Sequence, residues 1–219
     1  MNVKLIGNFI QHLEVELLSD EDFYAQKGAL IYLEKGIEAQ MNGGGTGALG
    51  ALGNLIGSKL SGESIFLMHY SNRAQSPKKI VFGGSFGLHP IKIQNETLIC
   101  NKGSYVASNN SVQISTQISI AGILGGMGVF LQKISGSSTI FLDCKGQPIT
   151  KDLGYGETIE VDENHIIALQ GISEGQLSSA WSLKNVFGGE GLSMLRIIGP
   201  GRVHLSPGSL IPEYRLVNQ

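Results

Sequence analysis

An internal repeat constrains this chain more than any other feature. Three stretches follow one pattern: Gly62-Glu63-Ser64-Ile65-Phe66-Leu67, Gly126-Met127-Gly128-Val129-Phe130-Leu131 and Gly189-Glu190-Gly191-Leu192-Ser193-Met194. Their first glycines are 64 and 63 residues apart. A fixed period of this kind means that one supersecondary unit is built several times.

Two further sets keep the same order. Glu96 to Ala107 and Glu157 to Ala168 align without a gap, and Glu21 to Tyr32 is the first copy. In each, a short apolar run meets a polar turn, where Gly28, Gly103 and Asn164 are equivalent. Glycine and asparagine tolerate positive φ best, so the same turn is expected three times. Gly87-Leu88-His89-Pro90-Ile91, Gly146-Gln147-Pro148-Ile149 and Gly208-Ser209-Leu210-Ile211 close the units. Short β-rich runs parted by Gly or Asn turns predict an all-β fold. The spacing suits a sandwich or a barrel, and three tandem units, if equivalent sandwiches, are expected to stand in pseudo-threefold arrangement. The units span 19–93, 94–154 and 155–219 of one compact body, with residues 1–18 adding N-terminal strands.

The run Leu13-Glu14-Val15-Glu16-Leu17 alternates at period two, a half-exposed strand with its leucines and valine inward. His12, Glu14 and Glu16 share the outer face, which reads as solvated rather than as a metal site because a fourth ligand is missing. With 42% hydrophobic and 16% charged residues the chain can bury a core, which excludes disorder. A net charge of −2 provides no basic field for a polyanion, so nucleic acid is not favoured as a partner. Cys100 and Cys144 sit in apolar runs without CxxC spacing and read as buried thiols. The N-terminus lacks the features of a signal peptide, so a cytoplasmic location is expected.

The first unit carries an insertion. From its turn glycine to the Gly62 motif it spans 34 residues, against 23 and 25 in the others. Leu49, Leu52, Ile56 and Leu60 keep helical spacing there, while Gly50, Gly53 and Gly57 form a bare stripe. A short Gly-rich helix is expected, too short to span a membrane. Leu49, Leu52, Gly53, Ile56 and Gly57 are its candidate interaction residues, toward a protein partner, a second copy or a membrane surface. Gly53 to Lys59 is not a phosphate-binding loop, because three residues rather than four part its glycines and Ser58 precedes Lys59.

No catalytic constellation is expected. The five histidines are scattered, and Ser64 lacks the second glycine of a nucleophile elbow. Glu21, Glu96 and Glu157 recur in every unit, which suits a shared turn better than chemistry, since a reaction needs one asymmetric constellation. Glu63, Glu190 and Arg196 are the candidate residues of a cleft between the outer units. No cofactor or metal is expected.

The Gly-rich insert leading into Gly62-Glu63-Ser64-Ile65-Phe66-Leu67, Gly103-Ser104-Tyr105-Val106-Ala107-Ser108, the run Tyr155 to His165, and the ending Gly188-Gly189-Glu190-Gly191-Leu192 with Gly199-Pro200-Gly201 carry a resemblance. The chain resembles bacterial relatives of the mitochondrial biogenesis family named for altered inheritance of mitochondria. The resemblance covers nearly the whole chain. It implies small antiparallel β-sandwich units side by side, a fold similar to that of the tryptophan RNA-binding attenuation protein. It implies no enzymatic activity. Lys102 corresponds to Glu163, so the repeated basic rim that reads RNA is not carried over. Two functions are therefore expected in turn: a non-enzymatic scaffold or assembly protein, associated with a membrane through its insert, or a small-molecule or nucleic-acid binding module using the cleft between units.

Overall fold

The computed structural model describes residues 1–42, 67–119, 130–183 and 192–210. They form seventeen strands, every pairing antiparallel, with two single-turn 3-10 segments. The expected Gly-rich helix, its residues Leu49, Leu52, Gly53, Ile56 and Gly57, and Gly62, Gly126 and Gly189 all fall outside the described residues.

After β1 (Asn2–Ile6), which among the described residues pairs only with its neighbour, one set of pairings recurs three times along the chain. The first set comprises β2 (His12–Leu17), β3 (Asp22–Gln26), β4 (Leu30–Leu33), β5 (Ile37–Asn42), β6 (Leu67–Asn72) and β7 (Lys78–Gly83). It makes two ladders, β5-β6-β3 and β4-β7-β2. The last set comprises β12 (Ile149–Leu153), β13 (Thr158–Asp162), β14 (Ile166–Gln170), β15 (Leu177–Leu183), β16 (Leu192–Ile198) and β17 (Gly201–Leu205). Its ladders, β15-β16-β13 and β14-β17-β12, follow the same order.

The middle set uses β8 (Gly87–Asn101), β9 (Tyr105–Ser108), β10 (Gln113–Ser119) and β11 (Phe130–Cys144). Here β8 and β11 each serve both ladders. Residues 96–101 pair with 131–136, and 87–94 pair with 137–144. Even the irregularities match, since each ladder skips one residue at the same place: Ile31, Val106 and Ile167. Each set begins ahead of the unit limits expected from the linear repeat, with β2, with residues 87–93 of β8, or with β12.

Period-two patterning explains the core. Leu13, Val15 and Leu17 are fully buried while His12, Glu14 and Glu16 face outward, as the alternation predicts. Three apolar clusters result. The four-stranded sheet β1-β2-β7-β4 packs Leu13, Val15, Ile80 and Phe82 against Phe23, Ala25, Tyr70 and Phe141 of the ten-stranded sheet. At the other end, Val161, Leu195 and Ile197 of the sheet β13-β16-β15 meet Ile99, Leu131, Leu169 and Val203.

The third cluster draws on the ten-stranded sheet, with Val112 of the β9–β10 connection, and on neither of the other two sheets. Asn95 makes this possible. It is the extra residue between Gln94 and Glu96, which oppose Ser137 and Gly136, and its φ is 52°. The bulge switches the parity of β8, so Ile91 and Ile93 before it and Leu98 and Cys100 after it all enter one cluster.

The turn expected three times occurs twice. Gly28 and Gly103 adopt φ of 96° and 85°. Asn164 does not follow them; it sits in a 3-10 turn, Glu163–His165, because Asp162 Oδ1 accepts both its backbone N–H and its side-chain amide at 3.0 and 2.9 Å. The recurring glutamates also divide. Glu21 accepts from the backbone of Leu18 and Glu157 from that of Gly154, each at 2.8 Å. Glu96 instead accepts from Gln170 Nε2, because β8 runs on through the bulge where the other sets turn.

Candidate functional site

The first set brings together residues not singled out in the sequence. Antiparallel pairing places Asp22 opposite Ser71 and Tyr24 opposite His69. Ser71 Oγ donates to Asp22 Oδ1 at 2.6 Å, His69 Nε2 lies 2.9 Å from the same oxygen, and the serine and histidine are 3.2 Å apart. Tyr24 stacks flat on the imidazole, 4.8 Å between centroids. Burial raises the Asp22 pKa, but the bonds from Ser71 and His69, with the charge of Arg73, outweigh it and hold the carboxyl below its ordinary value.

These residue types make a nucleophilic relay elsewhere, but the connectivity is different here. A relay needs the carboxylate on one ring nitrogen and the serine on the other, so that the serine can surrender its proton to the ring. In this cluster the carboxylate and the serine share Nε2, and the serine proton is already committed to Asp22. The arrangement ties β3 to β6 across the 24 residues that part β5 from β6.

A second cluster joins the middle and last sets. His89 Nε2 and His204 Nδ1 are 2.9 Å apart, and Thr150 Oγ1 lies 3.5 Å from the latter. His204 is 4% exposed and its Nε2 has no partner. A bare lone pair is cheaper to bury unbonded than an N–H, so we assign the proton to Nδ1, donating to His89. Burial, then the neighbouring His89 and Arg202, push the His204 pKa down to about 4. Burial lowers His89 as well.

This pair sets a pH dependence. The folded pKa of His204, about 4, lies below its unpaired value of 6.5, so the unfolded chain binds the proton first. The stabilisation is complete above pH 6.5 and is lost as pH falls toward the folded value. By about pH 5 the loss should reach about 2 kcal/mol. Urea titrations at these two pH values check it, and His204→Gln should flatten the difference.

Both thiols are free and buried, as expected. Burial raises Cys100 to about 11 despite its contact with Gln132, and raises Cys144 too, so neither is a ready thiolate. Of the expected cleft, Glu63 and Glu190 lie outside the described residues. Arg196 is opposite Glu160 in the β13–β16 ladder, and its Nη2 and Nε contact Glu160 Oε1 at 2.8 and 3.2 Å. Arg202 is held the same way by Asp152. Exposed pairs like these are screened by solvent and contribute little to stability. Among the described residues no group of three metal-ligating side chains converges, and no helix is long and apolar enough to cross a membrane.

Comparison with known proteins bears on the whole fold rather than on one cluster. An uncharacterised protein of Streptococcus pyogenes serotype M6 is 26% identical over 164 residues, 71% of this chain and 64% of that protein. The chain thus matches a little under two thirds of that relative's length. The crystal structure of a Streptococcus pyogenes protein superposes with a TM-score of 0.67 at 21% identity, covering 95% of this chain and 94% of the other. That likeness is one of fold. The family model for mitochondrial biogenesis AIM24 matches residues 3–208, which takes in all three sets of strands from β1 to β17. The chain belongs to the mitochondrial biogenesis AIM24 family.

Proposed function

We propose that the chain is a non-enzymatic scaffold that holds a partner protein through an apolar tip at the β1–β2 turn. The observation that carries this is the exposure of Phe9 and Ile10, 89% and 71%, beside exposed Leu5, Ile6 and Phe86. The tip is held in place. Gln11 donates its backbone N–H to Phe86 O at 2.7 Å, accepts from Leu88 N at 2.8 Å, and its side-chain amide reaches Gly7 O at 3.2 Å. Gly7 has φ of 103°, and a Cβ there would lie 2.4 Å from Ile10 O, so the turn requires glycine. A turn fixed at this cost, with its largest apolar side chains in water, suits a docking element. The likeness of the units to the tryptophan RNA-binding attenuation protein belongs to the same reading.

The double variant Phe9→Ser/Ile10→Ser removes the tip. Its stability should change by less than about 0.5 kcal/mol, because both side chains are exposed. In-cell cross-linking followed by mass spectrometry should then lose the partner that the intact chain captures; an unchanged partner at unchanged yield sinks the proposal. The reading also takes in a peripheral membrane contact through Leu49, Leu52, Gly53, Ile56 and Gly57. Vesicle flotation of the intact chain and of a chain lacking 43–58 tests that part: both floating alike, or neither floating, rejects it.

A further inference from the structure

Cross-strand pairing sets two rows of side chains on one face of the ten-stranded sheet, where β5 and β6 flank the insertion. Directly opposite residues share a face, and Glu38, Ser71 and Asp22 are opposite one another across β5, β6 and β3. Gln40, His69 and Tyr24 make the next row on that face, two residues along each strand. β3 is paired on both sides, with β6 and with β9, where Tyr24 lies opposite Ser108. β5 ends the sheet, and among the described residues it pairs with β6 alone.

Two side chains of these rows already meet as metal ligands would. His69 Nε2 and Asp22 Oδ1 are 2.9 Å apart. Bonds of about 2.0–2.2 Å to a zinc-type ion put adjacent donors roughly 3 Å apart, so a small movement of the carboxylate lets an ion replace the proton between them. Both groups are held from behind, as ligands usually are. Tyr24 stacks on the imidazole with 7° between the planes, and Ser71 Oγ donates to Asp22 Oδ1 at 2.6 Å. No third ligand converges on them as they stand, but Glu38 is one strand away, exposed and loosely held. Its Oε2 lies 3.9 Å from Arg73 Nε, and Arg73 Nη1 also faces Asp20 at 3.6 Å. Ser71, between Glu38 and Asp22, is short, so both carboxylates can lean over it. Asp20, Asp22 and Glu38 outnumber the one guanidinium, and the surplus negative charge attracts a cation.

We propose that Asp22, His69 and Glu38 form a site for a divalent transition-metal ion of the zinc class, with water completing the coordination. An imidazole among the ligands favours such an ion over Mg2+ or Ca2+, which take oxygen donors. Glu38 turns from Arg73 onto the ion, and Arg73 keeps Asp20. The ion joins the edge strand β5 to β6 and β3, and so clamps together the two strands that part at Asn42 and resume at Leu67.

Titration of the EDTA-treated full-length protein with Zn2+, followed by calorimetry, tests this. One equivalent should bind saturably and raise the urea midpoint. Glu38→Gln, at an exposed position, should keep the circular dichroism of the wild type and bind Zn2+ at least about tenfold more weakly. His69→Gln should lose the site. Co2+ in place of Zn2+ should give visible ligand-field absorption that both variants lose. Should His69→Gln fail to fold, Glu38→Gln and its Co2+ spectrum decide the matter. Zn2+ that does not bind the wild type, that binds Glu38→Gln as tightly as the wild type, or that is displaced by an equal concentration of Mg2+ would each overturn the proposal. Phe9→Ser/Ile10→Ser should bind Zn2+ like the wild type, so this site and the apolar-tip reading fail separately.

Discussion

Phe82→Ala is expected to destabilise the fold by about 4 kcal/mol, read as a fall in the urea midpoint with an unchanged slope. Phe82 is fully buried between the four-stranded sheet and the ten-stranded sheet. Its ring stacks on Phe23 with centroids 5.3 Å apart and meets the edge of Tyr70 at 5.1 Å. Phe23 in turn reaches Phe141 of the middle set, 6.4 Å away. The cavity therefore opens where the first and middle sets adhere, and the rigid rings around it collapse poorly into the space. A cost below about 1 kcal/mol would mean that the cluster repacks, and would remove Phe82 from the centre of this core.

Asn72→Asp should have the next largest effect. Asn72 is fully buried, and its amide group donates to the carbonyls of Leu17 and Ser76 at 2.9 and 3.0 Å while its oxygen accepts from Ala74 N at 2.9 Å. Its backbone also exchanges bonds with Asp20 and Glu21. Asn72→Ala strands two carbonyls and one N–H, a cost of about 3 kcal/mol. The aspartate keeps the acceptor but turns a negative oxygen toward two carbonyl oxygens, so its folded pKa must rise above the ordinary carboxylate value. A raised folded pKa stabilises below the unfolded pKa, and that stability is lost as pH rises. Asn72→Asp should therefore be less stable than Asn72→Ala at pH 7 and should recover part of the difference toward pH 5. Urea titrations at the two pH values decide it; an aspartate variant as stable as wild type at pH 7 would refute the account.

The sequence reading carried as far as local patterning reaches. The alternation of Leu13, Val15 and Leu17, the two thiols in apolar runs and the recurrence of one strand-turn-strand unit are all properties of neighbouring residues, and the all-β architecture follows from them. Pairing over distance was not legible. Asp22 meets Ser71 and His69 only once the register across the insertion is fixed, and nothing in the insertion specifies that register. His89 and His204 are 115 residues apart and belong to different sets. The period-two spacing of His69 and Ser71 was visible, but without a partner strand it carries no chemistry. Asn164 shows the opposite error. Its residue type allows positive φ, yet Asp162 two positions earlier offers its backbone a closer acceptor, and a tertiary detail overrides the repeat.

The pairings of β3 with β9 and of β8 with β14, which join the three sets, also impose an order on synthesis. A chain emerging from the ribosome finishes β7 at Gly83 with the outer edge of β3 still bare, since its partner β9 ends at Ser108. The same wait recurs for β8, whose last neighbour β14 ends at Gln170. Each set thus leaves a one-sided template for the stretch still inside the tunnel, and a nascent chain stalled between Gly83 and Ser108 would expose the Ala25 edge to any other unfinished copy on the same messenger.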